Sequence, residues 1–211
     1  MIKLLNYIRK YFLYKKHSKS CLCDRHTIFT KHTRINLLWG AIKENIRVGS
    51  FCRIYGSLSA CHNGVIILGN HVAIGPGSRV MAVNKVIIED YTETGPNITI
   101  CDNNNHPVNP EDRMVMRMTP ARSIERSWLF SENRPIHIGK NVWIGENSRI
   151  CKGVTIGDNA VIAACSVVTK DVPANCIAAG NPAKIVKTGI DNLPRLFKNA
   201  NQIILTKNVL C

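Results

Sequence analysis

The chain has 211 residues, 45% of them hydrophobic but only 6% aromatic, and 28 basic against 14 acidic side chains give a formal net charge of +14. No apolar run approaches the roughly 18 residues of a membrane span, which excludes a helical integral membrane protein, and the length suits one domain. The positive balance favours polyanionic partners, but no aromatic-basic platform or groove-reading motif accompanies it, which argues against nucleic acid.

The first 20 residues, "MIKLLNYIRKYFLYKKHSKS", carry six Lys or Arg and no acid. Charges interrupt the apolar runs and no small-residue cleavage site follows, so no signal peptide is expected. The segment reads as part of a basic cap over 1–45, with an anionic membrane surface as a candidate peripheral contact. Without export, the nine cysteines belong in a reducing, cytoplasmic setting as small core or corner residues. The cluster Cys21, Cys23 and His26 lacks the spacing of a common zinc site, and no metal is expected.

A rhythm of six then takes over. Val48, Ile54 and Ala60 form one triplet, Leu68, Ile74 and Val80 a second, and Ile88, Thr94 and Ile100 a third, with starts 20 residues apart. After a departure over 107–135 the hexads resume at Ile136 and run through Ile138, Ile144, Ile150, Ile156, Ile162 and Val168. Six matches neither an amphipathic helix nor an ordinary two-faced strand. It fits short strands joined by tight corners, a parallel β-helix whose coils stack about 4.8 Å apart. The coils are expected over 46–187, with 1–45 and 188–211 as end caps, because stacked repeats need closed ends.

The segment "PIHIGKNVWIGENSRICKGVTIGDNAVIAACSVVTKDVPANCIAAGNPAKIV" resembles the signature of hexapeptide-repeat acyltransferases, among them galactoside and maltose acetyltransferases and surface-polysaccharide O-acetyltransferases. The resemblance implies an all-β-dominated fold: a left-handed parallel β-helix with terminal helical caps and one long loop excursion. It further implies a homotrimer, acetyl-CoA held between subunits, and a histidine as general base.

"NHPV" points to His106 as that base, for which a side-chain pKa near the working pH is apt. Asp102 is a candidate orienter of its ring. For the cofactor, the resemblance nominates Trp143 against the pantetheine arm, with Glu146, Ala164, Thr169, Lys170, Lys184 and Lys187 around it. Lysines 184 and 187 stand where some relatives have arginine, which keeps the attraction to phosphate but loses the bidentate geometry. For the acceptor, Asn84 and the loop residues Arg113, Arg117, Arg122, Arg126 and Trp128 are candidates, suited to an acidic sugar. The reading is therefore an acetyl-CoA-dependent O-acetyltransferase acting on a sugar, in surface-glycan biosynthesis, with an antibiotic or serine as the alternative acceptor. A metalloenzyme resembling γ-class carbonic anhydrases fits less well: His71 and His106 have a reminiscent spacing, but Glu111 stands where a third histidine is expected. A non-catalytic scaffold is the remaining reading, and the loop at His106 argues against it.

Overall fold

In the computed structural model, residues 2–197 are described. The chain opens with α1 (Ile2–His17) and then winds through six coils of three short strands. The first coil is β1 (Leu22–Cys23), β2 (Ile28–Phe29) and β3 (Arg34–Leu38). The second is β4 (Ile46–Val48), β5 (Arg53–Ile54) and β6 (Ser57–Cys61). The third is β7 (Val65–Leu68), β8 (Ala73–Ile74) and β9 (Arg79–Ala82), and the fourth β10 (Lys85–Ile88), β11 (Glu93–Thr94) and β12 (Thr99–Cys101). A loop carrying α2 (Pro110–Met118) intervenes. The fifth coil is β13 (Ile136–Ile138), β14 (Trp143–Ile144) and β15 (Arg149–Ile150), and the sixth β16 (Thr155–Ile156), β17 (Val161–Ile162) and β18 (Val167–Val168). An antiparallel pair, β19 (Ile177–Gly180) and β20 (Ala183–Lys187), follows.

Corresponding strands stack in parallel, giving three faces. Face A runs β1-β4-β7-β10-β13-β16, face B runs β2-β5-β8-β11-β14-β17 and ends in β19-β20, and face C runs β3-β6-β9-β12-β15-β18. The result is a left-handed parallel β-helix. Every aliphatic residue of the hexad series points inward: Ile54, Ile74, Ile88, Ile138, Ile144, Ile150, Ile156 and Ile162 are buried to within 1%. Burying one such side chain contributes roughly 1.5–3 kcal/mol, so the repeated stack supplies the main driving force for the fold. Thr94 occupies an inward position without an aliphatic side chain, and there its hydroxyl accepts from the Gly75 N–H at 2.9 Å. That bond satisfies a buried polar group.

The coils begin earlier than the hexad reading places them. Residues 22–38, assigned to the cap, pair in register with the second coil, Leu22 with Arg47, Ile28 with Arg53 and Arg34 with Ser57. Cys23, Phe29 and Ile35 keep the spacing of six, but a cysteine and an aromatic disguise it. Among the described residues, α1 and its connection precede the coils. It packs through Leu13 and Tyr14 on the end of the core. At the other end, the described part of 188–211 holds one short 3-10 turn, Ile190–Asn192, and the closing element is the β19–β20 pair rather than a helix. The remainder of that expected cap lies outside the described residues.

From the second coil onward, the corner between faces A and B is turned by a residue in the left-handed region. Phe51, His71, Tyr91, Asn141, Asn159 and Asn175 have φ of 58, 57, 61, 53, 60 and 56°. Side chains that share this position stack. His26, Phe51, His71 and Tyr91 lie nearly parallel with centroids 4.8–5.1 Å apart. Above them, Asn141 donates to Asn159 at 2.9 Å and Asn159 to Asn175 at 2.8 Å. His71, the residue of the metal alternative, belongs to this ladder.

Candidate active site

The corner after β12 is built around a buried carboxylate. Asp102 is fully buried. It accepts from the Val83 N–H at 3.0 and 3.1 Å, the Asn84 N–H at 2.8 Å and the Asn103 amide at 2.9 Å. Burial pushes its pKa above the ordinary aspartate value, against these hydrogen bonds. Asn103 then accepts from the Asn105 N–H at 2.8 Å, an Asx turn that carries Asn105 to φ 69°. His106 follows, exposed to solvent, with its Nε2 3.3 Å from the Asn105 amide nitrogen. No hydrogen bond joins Asp102 to His106. The orienting role expected of Asp102 is corrected accordingly: its carboxylate is spent on the third coil's corner, and it shapes the backbone that displays the histidine.

The loop leaves and returns through a short zipper. Asn103 bridges Asn133, the Asn104 N–H donates to the Glu132 carbonyl at 3.0 Å, and the Arg134 N–H donates to the Asp102 carbonyl at 2.9 Å. Asn84 donates its amide to Asn133 Oδ1 at 3.0 Å, which brings it to this corner but commits one of its donors. Glu132, which sequence reasoning passed over, also pairs with Arg134 at 3.2 Å and Lys152 at 3.3 Å. No motif marks it; only the closure of the loop makes it a neighbour of this corner.

The four loop arginines divide. Arg113 donates to the Val108 carbonyl, and Arg126 donates to the carbonyls of Thr119 and Arg117 at 2.8 Å each, tying down the end of α2. Arg117 and Arg122 are exposed. Trp128 is half-buried; its neighbour Ser127 is buried and lies 3.0 Å from His62 Nε2, so the loop folds back over its own second coil.

The cofactor candidates fall on the other side of face C. Trp143, 48% exposed on β14, stands in register with Glu93 and Val161, in the row that continues through Ile177 to Lys187. At the corner just after it, Glu146 and Ala164 occupy equivalent places in successive coils, joined by the Cys165 N–H to the Glu146 carbonyl at 2.8 Å. Gly145 permits this approach, since a Cβ there would lie 2.5 Å from the Ala164 nitrogen. Lys184 sits beside this region on β20. Thr169 and Lys170 instead lie after β18, on the same corner as His106 but two coils further on, and both are exposed. Within one chain, then, face C separates His106 from Trp143, Glu146 and Ala164. Among the described residues, no group of three or more His, Cys, Asp or Glu side chains is arranged to hold a metal ion.

Residues 135–170 match the bacterial transferase hexapeptide (six repeats) family. The chain is 44% identical over 110 residues to galactoside O-acetyltransferase of Escherichia coli (strain K12), covering 49% of this chain and 48% of that protein. It is 41% identical over 122 residues to a putative acetyltransferase of Saccharomyces cerevisiae, covering 58% and 55%. The chain thus spans about half the length of these curated relatives. Among solved structures, an AntD N-acyltransferase mutant from Bacillus cereus, in complex with dTDP and coenzyme A, superposes with a TM-score of 0.67 at 15% identity, over 95% of this chain and 100% of that one. The polySia-specific acetyltransferase NeuO superposes with a TM-score of 0.58 at 23% identity, over 88% and 89%. These likenesses show the fold. The resemblance to hexapeptide-repeat acetyltransferases read from the sequence is borne out.

Proposed function

We propose that this chain is an acetyl-CoA-dependent O-acetyltransferase acting on a sugar hydroxyl in surface-glycan biosynthesis, and that it works as a homotrimer in the cytoplasm. One observation carries the reading: a solvent-exposed histidine is presented by an Asx turn where the β-helix emits a long loop, in a chain 44% identical over 110 residues to galactoside O-acetyltransferase. Face C lies between His106 and the Trp143–Ala164 region. Packing of two copies along their faces would bring one copy's histidine to the other's cofactor side, and this geometry supports the trimer.

His106 accepts the proton of the acceptor hydroxyl while that oxygen attacks the thioester carbonyl of acetyl-CoA. The tetrahedral oxyanion collapses, the C–S bond breaks, and the proton passes from the imidazolium to the departing sulfur. Trp143 packs on the pantetheine arm, Ala164 leaves room for it, and Lys170, Lys184 and Lys187 attract the CoA phosphates. Arg117, Arg122, Trp128 and Asn84 face the acceptor.

The test is thiol release from acetyl-CoA across a panel of neutral sugars, acidic glycans, serine and an aminoglycoside. His106→Ala should lose 10²-fold or more in turnover, on the order of what a positioned base supplies, with unchanged oligomer mass. Near-normal turnover in that variant, or acetyl transfer to serine or the aminoglycoside alone, overturns the reading.

A further inference from the structure

We infer that α1 is a bilayer-surface element that seats this protein on anionic lipid; the inference stands apart from the enzymatic reading. The helix packs on the first coil through Leu13, Tyr14 and His17, the last with its ring tilted 39° to that of Phe29 at 4.9 Å. At 3.6 residues per turn, Leu5, Ile8 and Phe12 fall on the opposite side, and they are 59%, 40% and 66% exposed. Arg9 and Lys16 flank this stripe along one edge. Lys15 and Tyr11 flank it along the other, with the Lys15 ammonium 5.7 Å from the Tyr11 ring centre. No residue of the helix is acidic.

A helix on the surface of a water-surrounded protein turns its polar residues away from the core. Here the outward stripe is apolar and rimmed by cations, the arrangement of a helix lying in the plane of a lipid headgroup region. Tyr7 and Tyr11, 70% and 50% exposed, suit the boundary between headgroup and acyl chain. Beside them, a groove of about 550 Å³ between α1 and the first coil is lined by Lys10, Arg25, Tyr7 and Tyr11, a fitting seat for a lipid phosphate. A second copy is a poor cover for the stripe, because it would bring an equally basic, acid-free helix against the first. No helix among the described residues is long and apolar enough to cross a membrane, so the contact is peripheral.

The full chain should float with phosphatidylcholine vesicles that contain phosphatidylserine, at low salt, and not with phosphatidylcholine alone. Leu5→Gln/Ile8→Gln/Phe12→Gln and Arg9→Gln/Lys15→Gln/Lys16→Gln should each lower the bound fraction, the second set by roughly fivefold per cation removed. Both variants should keep the wild-type oligomer mass and thermal stability, since all six side chains are exposed. Absence of flotation with the anionic vesicles overturns the inference, as does wild-type binding by the apolar variant. A changed oligomer mass in that variant overturns it too, by making the stripe a contact between copies.

Discussion

Replacing Asp102 by alanine removes the acceptor of two backbone N–H groups, Val83 and Asn84, and of the Asn103 amide, at a position with no solvent exposure. The amide can turn elsewhere, but the backbone donors cannot. At roughly 1–3 kcal/mol for each of the two donors left unpaired, the loss is about 2–6 kcal/mol. For a chain of this size that corresponds to a fall in melting temperature of about 4–24 °C. Asp102→Asn separates the structural role from an electrostatic one on His106. It places an NH₂ among donors, so it should also destabilise, yet the acid limb of kcat/KM should stay at the wild-type pH. The carboxyl's folded pKa is raised by burial above its ordinary 3.8, so the native state binds the proton more tightly than the unfolded chain. Its contribution is therefore full below 3.8 and is lost as pH rises through the raised value. Thermal melts against pH should show the advantage of wild type over Asp102→Asn shrinking over that interval and levelling at neutral pH. If Asp102→Asn melts like wild type while the acid limb moves, Asp102 orients His106 and the corner argument is wrong.

Four further outcomes follow from the geometry. His17 is buried, and burial first, then Lys16 and Arg34, lower its pKa below 6.5. The packing of α1 should thus be complete above that value and weaken as pH falls through the depressed one; hydrogen exchange in α1 should show this, and His17→Phe should flatten the response. Arg117→Gln/Arg122→Gln should raise KM for an acidic glycan while leaving the loop's protease resistance intact. Arg126→Gln, which frees two carbonyls at the end of α2, should expose the loop to proteolysis. Lys184→Ala/Lys187→Ala should raise KM for acetyl-CoA several-fold at low salt, exposed charge contacts being individually weak, and an unchanged KM would remove those lysines from the cofactor site.

The coils were legible because their inward residues had to be aliphatic and evenly spaced, and the buried isoleucines follow that count from Ile54 to Ile162. The first coil was not, because Cys23 and Phe29 fill the same places with side chains that a hexad reading does not expect at a helix end. Asp102 misled for a related reason. In sequence it is four residues from His106, whereas in space its nearest partners come from the preceding coil. The corner ladder could have been found: Phe51, His71 and Tyr91 recur at the same 20-residue interval as the triplets. Which candidates share a corner depends on the winding of the coil, and residue types alone do not reveal it.

The zipper between 102–104 and 132–134 has a consequence for how such a chain can change over time. Val86 and Ile136 remain register partners although the excursion lies between them, so the coil on either side is indifferent to what hangs there. Doubling the length of such a loop costs only about 0.6 kcal/mol in closure entropy. Insertions, deletions or whole replacements between His106 and Glu132 are therefore inexpensive so long as the two ends still meet. The scaffold accepts the segment as a cassette, and under the proposed function new acceptor preferences would arise by exchanging it while His106 and the proposed cofactor side stay as they are.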